Sequence, residues 1–357
     1  MRTRRVPLKL LAILAALFLV AAACGDDDET ATDDTEAAAA TDDAATDDEA
    51  EEPAEDEAEE PAEEEADPRA DWPDSLVLAA VPAEQDAQLQ ESYRVTREIL
   101  ADELGLEIEF FQAADYAGVI EALIADRVDL AQFGPFSYVI AIANGADAAP
   151  VGVMTDGPDV EPGYQSFLVA QADNDEINSL EDIVGKRVCF VDPASTSGFL
   201  VPAAGMLEAG IDPDADVNGI FAGGHDASVI SVNSGDCDAG FAFDTMVTEL
   251  LIDRGDIAEG DVKIVWESAI IAGSPMSMRN GLPESLQAEI REIFENKLNV
   301  DWAAENGYCD SNDPLLCSFT DENIWGFVPR DDSFYDGVRL ICEELGAERA
   351  PQCEGIS

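Results

Sequence analysis

The chain has 357 residues and carries 78 Asp and Glu against 18 Lys and Arg, a formal net charge of −60. No basic patch is present to neutralise phosphates, which excludes nucleic acid as a partner, and with one His and no CxxC pair no metal site is expected. An acid excess of this size repels itself in dilute buffer and is relieved by salt, as in proteins adapted to a salty medium.

Arg2, Arg4, Arg5 and Lys9 precede an apolar run from Leu10 to Val20 that is too short to span a membrane comfortably. Residues 1–23 are therefore expected to be an export signal. It ends in Ala21-Ala-Ala-Cys24-Gly25, which is similar to a bacterial lipoprotein signal in which the Cys becomes the lipidated first residue. Ala21 is smaller than the residue usual at that place, so cleavage by an ordinary signal peptidase stays open. Residues 24–74 are expected to form the lipidated Cys24 and a disordered acidic tether: Asp26 to Asp67 holds 23 acids and no Lys or Arg, too little apolar surface to fold. Lipidation would hold the protein on the outer face of the membrane by acyl chains alone. Beyond the tether the chain still carries about −41, with Lys186, Lys263 and Lys297 as its only lysines.

Short apolar strands then alternate with amphipathic helices. Strands are expected at Leu76–Val81, Glu107–Phe111, Asp129–Phe133, Pro150–Met154, Tyr164–Ala170, Arg187–Val191, Val217–Phe221, Ala239–Phe243 and Val262–Trp266. Helices are expected at Glu84–Leu104, Tyr116–Asp126 behind an Asp115 cap, Phe199–Ala209, His225–Ser234 and Asp244–Asp253, with another starting at Gly134-Pro135-Phe136-Ser137. The pattern is α/β, with two mostly parallel sheets flanked by helices and ligand loops at the C-terminal strand ends.

Val191 to Ala203 is the segment richest in chemistry. It sets Ser195, Thr196 and Ser197 between a strand and a helix, where free N–H groups and the helix dipole favour an anion. Plain capping is the simpler reading of such a triplet. His225 follows Gly223-Gly224 at a strand end and opens a helix, beside the same row of loops, whereas a lone His elsewhere would more often be packing. Tyr116, one residue past a cap, could either pack or bind. After Cys24 six cysteines remain, an even number in an oxidising compartment. Neighbouring strands could join Cys189 to Cys237, and short loops favour Cys309 with Cys317 and Cys342 with Cys353.

Five segments occur in an order that resembles the phosphate, phosphite and phosphonate-binding proteins of ABC importers: Val81-Pro-Ala-Glu84, Ala114–Leu123, Val128–Tyr138, Asp192–Pro202 and Gly223–Ser228. The resemblance runs from about Leu76 to Leu298; the cysteine-rich tail resembles nothing identifiable. It implies a type II periplasmic-binding-protein fold of two lobes, 75–168 with 266–357 and 169–265, closing on the ligand. It also implies that Ser195, Thr196, Ser197 and His225 donate to the P–O oxygens from one lobe, and Tyr116 and Tyr164 from the other and the hinge edge. Phe136 and Ser137 would lie around the phosphorus substituent. Binders of aminoalkylphosphonates in this family carry extra carboxylates for the ammonium; here Ser274 occupies one such position and Asp244 is offset from the other. Phosphite, phosphate or a small alkylphosphonate is therefore expected as ligand, with an importer permease as partner, a monomeric state and no cofactor. The rival reading is a hydrolase using a Ser-His pair made from Ser195–Ser197 and His225 on a phosphate or acyl ester.

Overall fold

The computed structural model describes residues 67–356 apart from Gln85, so the expected signal segment, Cys24 and the tether as far as residue 66 lie outside the described residues. The strands are β1 (Ser75–Ala80), β2 (Glu107–Phe111), β3 (Leu130–Gln132), β4 (Ala148–Thr155), β5 (Gly163–Tyr164), β6 (Ser166–Gln171), β7 (Arg187–Phe190), β8 (Asn218–Phe221), β9 (Ala239–Phe243), β10 (Val262–Glu267), β11 (Ile271–Ala272), β12 (Pro275–Arg279) and β13 (Gly326–Val328). The helices are α1 (Asp86–Ser92), α2 (Arg94–Leu104), α3 (Tyr116–Ile124), α4 (Pro135–Ala143), α5 (Val201–Glu208), α6 (His225–Ser234), α7 (Leu251–Arg254), α8 (Glu284–Asn296), α9 (Val300–Glu305) and α10 (Asp336–Leu345).

Two sheets organise the two lobes. The first has the order β13-β4-β12-β3-β1-β2 and the second β10-β6-β9-β7-β8, joined by the small antiparallel β5–β11 ribbon. Both sheets are mixed, which corrects the expectation of mostly parallel ones. In the first, β1 runs parallel to β2 and β3, while β12 runs against β3 and β4, and β13 against β4. In the second, β7 is parallel to β8 and β9, but β6 runs against β9 and β10. β6 and β12 are the strands by which the chain enters one sheet from the other, so neither is bound by the crossover geometry that makes consecutive strands parallel. The lobe boundaries expected at 168/169 and 265/266 fall inside β6 and β10, which pair with each other and lie in the second sheet.

The last residues of the expected tether are docked. Arg69 pairs with Glu289 of α8 at 2.9 Å and lies over the Trp72 ring, and Trp72 Nε1 donates to Ser285 Oγ. This short stretch supplies the cation and the aromatic that the acidic run before it lacks. At the other end, α10 packs against α4 of the first lobe and α5 of the second, burying Tyr335, Val338 and Cys342 in a core shared by both. Disulfides Cys189–Cys237, Cys309–Cys317 and Cys342–Cys353 are formed, the first between neighbouring strands and the other two across short loops, as expected.

Candidate functional site

Strand β7 ends one residue before Val191, and the chain then turns through Pro193 into a π-turn over Thr196–Leu200 that continues as α5. Ser195 caps it: its Oγ accepts from Gly198 N at 3.1 Å, so the capping expected of the triplet does occur. The wider turn, of a kind enriched at functional sites, leaves the first amides with no carbonyl behind them. Gly198 is required here, because a Cβ would stand 2.3 Å from Val191 Cβ. From β6, Ser166 Oγ donates to Ser197 O at 2.6 Å and fixes the loop from behind.

Around this loop the two lobes enclose a cavity of about 30 Å³. Ser195, Thr196, Ser197 and His225 line it from the second lobe, Tyr116 and Gln132 from the first, and Tyr164 from the β5–β11 ribbon. The Tyr116 hydroxyl faces Ser195 and that of Tyr164 faces Thr196 and Ser197, and each feels the polar group opposite. Burial raises the pKa of both phenols, so both stay protonated donors. His225 is 3% exposed, and burial pulls its pKa down to about 3. Its Nδ1 accepts from Phe243 N at 3.1 Å, which leaves the proton on Nε2, 3.4 Å from Ser195 Oγ. Among the described residues no Lys or Arg lines the cavity.

Several contacts bridge the lobes at its rim. Thr196 Oγ1 accepts from Phe136 N at 2.8 Å, His225 N donates to Ala83 O at 2.8 Å, and the Asp192 carboxyl, raised in pKa by burial, faces the Tyr116 amide, which offsets part of that rise. Glu84 of the first lobe pairs with Arg254 of α7, and burial pushes the Glu84 pKa up to about 7. Asn323 reaches across to Glu249 at 3.1 Å.

Phe136 and Ser137 do not line the cavity. The Phe136 ring is fully buried in the core of its lobe, and Ser137 Oγ turns back to Gly134 O at 3.0 Å; what reaches the site from this turn is the Phe136 amide and Gly134. Ser274 lines the cavity and also a neighbouring space of about 40 Å³, whereas Asp244 lines only the latter. Asp321 and Glu322 also line the main cavity, and sequence reasoning missed them. They follow the Cys309–Cys317 loop, held where Thr96 Oγ1 donates to Phe319 O and Tyr93 OH to Asp321 Oδ1, both at 2.7 Å.

Residues 78–335 match the model of the family described as "ABC transporter, phosphonate, periplasmic substrate-binding protein". The chain belongs to this family. A phosphate-import protein of Mycolicibacterium smegmatis is 46% identical over 291 residues, covering 80% of this chain and 89% of that protein. A protein of Prochlorococcus marinus described as a probable ABC transporter phosphite-binding protein is 26% identical, over 78% of this chain and 92% of that one. The solved structure of the Prochlorococcus PhnD1 protein with methylphosphonate matches in fold, with a TM-score of 0.66 at 21% identity over 76% of this chain and 98% of that one. A binding-protein component of an ABC phosphonate transporter from Pseudomonas aeruginosa gives a TM-score of 0.63 at 22% identity, over 79% of this chain and 94% of that one. The protein is thus an extracytoplasmic substrate-binding component of an ABC importer, with the type II two-lobed fold.

Proposed function

We propose that this protein captures one small phosphorus oxyanion reversibly between its lobes and hands it to an importer permease, as a monomer held at the outer membrane face through lipidated Cys24. The observation that carries the ligand class is the convergence of Ser195, Thr196, Ser197, Tyr116, Tyr164 and the His225 Nε2–H on one small cavity without a fixed cation. Uncharged donors held in place match a tetrahedral anion with several acceptor oxygens, and they let it leave again. The names of the relatives from Mycolicibacterium and Prochlorococcus, which refer to phosphate and phosphite, support this class of ligand. Ser274 and Asp244 line the neighbouring space, which on this reading would receive a phosphorus substituent.

The Ser195–His225 contact is what favours a hydrolase reading, and the tautomer weighs against it. A general base needs a free lone pair toward the serine, whereas here Nδ1 already accepts a backbone N–H and Nε2 carries the proton.

Calorimetry with phosphate, phosphite, methylphosphonate and aminoethylphosphonate tests the proposal. A one-to-one Kd of about 10 nM to 10 µM is expected, from about five hydrogen bonds to a charged group less the cost of association. Ser195→Ala and Ser197→Ala should each weaken binding by about 1–3 kcal/mol. Absence of heat with all four ligands refutes the ligand class; unchanged affinity in both variants refutes the site.

A further inference from the structure

The hydroxyls and His225 answer acceptors on an anion, but the same wall holds two groups of the opposite kind. Glu322 lines both the main cavity and the neighbouring space, and among the described residues its carboxyl has no hydrogen-bond partner. Gln132 is 3% exposed, gives its Nε2 to Met154 Sδ at 2.9 Å and keeps Oε1 buried with no partner. The other acids near Glu322 are already engaged or wet. Asp321 Oδ1 accepts from Tyr93, Asp244 takes the amides of Gln165 at 3.1 Å and Thr245 at 3.0 Å on its two oxygens, and Asp156 is exposed. Arg254, whose charge acts on Asp321, is taken by Glu84.

Glu322 is half-buried, and there a bare carboxylate beside a bound dianion is a repulsion only partly screened by water; one proton between them turns it into a short O–H···O bond. We infer that Glu322 is a specificity-determining residue that shares one proton with the bound oxyanion, so the site prefers hydrogenphosphate, which keeps a P–OH group, to fully deprotonated phosphonate and sulfate ions. The inference rests on the oxyanion reading of the cavity. With the carboxylate ionised, the P–OH of the ligand donates to it; a dianion without P–OH must take up a proton from solvent, which then sits on Glu322 and is donated to a ligand oxygen. Burial first, then the neighbouring carboxyls of Asp321, Asp244 and Asp156, push the Glu322 carboxyl well above the usual range. An ammonium on an alkyl chain is the other group that could satisfy Glu322, with Asp244, whose two oxygens each accept one backbone N–H, beside it in the neighbouring space, and the aminoethylphosphonate titration distinguishes the two.

The test is calorimetry of phosphate, methylphosphonate, sulfate and aminoethylphosphonate, at about pH 6 and about pH 9, on the wild type and Glu322→Gln. Groups that act on closure with any ligand, Glu84 above all, cancel in the ratio of two affinities. His225, Tyr116 and Tyr164 stay in one protonation state across this range because burial holds them there. In the wild type the preference for phosphate over methylphosphonate should grow at least about tenfold from the lower to the higher pH, since each unit above the carboxyl's pKa costs the unprotonated ligand tenfold. Sulfate should weaken likewise. In Glu322→Gln the preference should stay constant within about threefold, since the amide brings a permanent donor. A wild type that binds none of these anions refutes the oxyanion reading itself. Binding with a ratio independent of pH leaves that reading in place and overturns the shared proton, and needs no variant. A ratio that changes equally in Glu322→Gln moves the proton to another residue and overturns the assignment. Aminoethylphosphonate bound over tenfold more tightly than phosphate, an advantage lost in Glu322→Gln, makes Glu322 an ammonium partner and also overturns it.

Discussion

His225 offers the cleanest perturbation, because one ring supports the fold and faces the ligand at once. Its pKa of about 3 in the folded chain lies far below the ordinary 6.5. The unfolded chain therefore binds more protons between those values, so the contribution is complete above about pH 6.5 and is lost as the pH falls toward 3. At about pH 5 the loss is roughly 1.5 pH units at 1.36 kcal/mol each, about 2 kcal/mol. Carboxyls raised by burial, such as Glu84, change stability in the opposite sense over part of this range, so the wild type alone does not isolate the effect. His225→Asn does. Its Oδ1 can replace Nδ1 as acceptor for Phe243 N, while the titrating ring and the Nε2–H are gone. Urea unfolding of both proteins at about pH 7 and about pH 5 should show the wild type losing about 2 kcal/mol relative to the variant, whatever constant difference the substitution itself brings. The variant should also bind the oxyanion about 1–3 kcal/mol more weakly at both pH values. Identical pH dependence in the two proteins would show that His225 is not held neutral by burial, and the tautomer argument against a catalytic base would go with it.

Three further outcomes follow from the same geometry. Thr196→Val keeps the shape of the side chain but leaves the buried Phe136 N–H without its acceptor across the cleft, so affinity measured by calorimetry should fall by about 1–3 kcal/mol while the melting curve of each lobe's core is little changed. Gly198→Ala places a Cβ 2.3 Å from Val191 Cβ and 2.8 Å from Ser195 Oγ, so it should cost about 1–3 kcal/mol of stability and, by displacing all three hydroxyls, on the order of 100-fold in affinity; unchanged binding would mean that the loop position is unimportant. Ligand capture followed by stopped flow should speed up as KCl rises, because the −41 on the chain beyond the tether repels an anion over about 30 Å at low salt and over only about 3 Å near 1 M; a rate that falls with salt would reveal a local positive field.

Much of this site could be read in the sequence because it follows local rules. Ser195 to Ser197 stand where an apolar strand becomes a helix, and His225 stands behind a Gly pair at another strand end, so strand, turn and helix signals place both loops at the same edge of the second sheet. The cysteine pairs followed from an even count and from loops short enough to close. Asp321 and Glu322 were not legible in this way. No periodicity marks them, and what brings them to the cavity is a disulfide loop and hydrogen bonds from Tyr93 and Thr96, over 200 residues earlier in the chain. Phe136 shows the complementary failure. The motif put the right turn at the site, but it could not tell that the backbone amide faces the cleft while the ring fills the core.

The way the cavity is built also explains how ligand and closure are tied together. Thr196 Oγ1 is held by an amide of the opposite lobe, and the hydroxyls of Tyr116 and Tyr164, from the first lobe and the ribbon, face the serine loop of the second. The groups in position to hold an oxyanion are thus also those that hold the lobes against each other, so binding and closing draw on one set of hydrogen bonds. A Lys or Arg in the wall would attract an anion to an open lobe as well as to a closed one. Neutral donors split between the lobes attract it fully only when both are in place, and the acidic surface discourages closure on an empty cleft. On this argument a variant that weakens the rim, such as Glu84→Gln beside Arg254, acts on affinity through the closed fraction and affects every ligand alike, whereas a change at Glu322 alters the ranking of ligands.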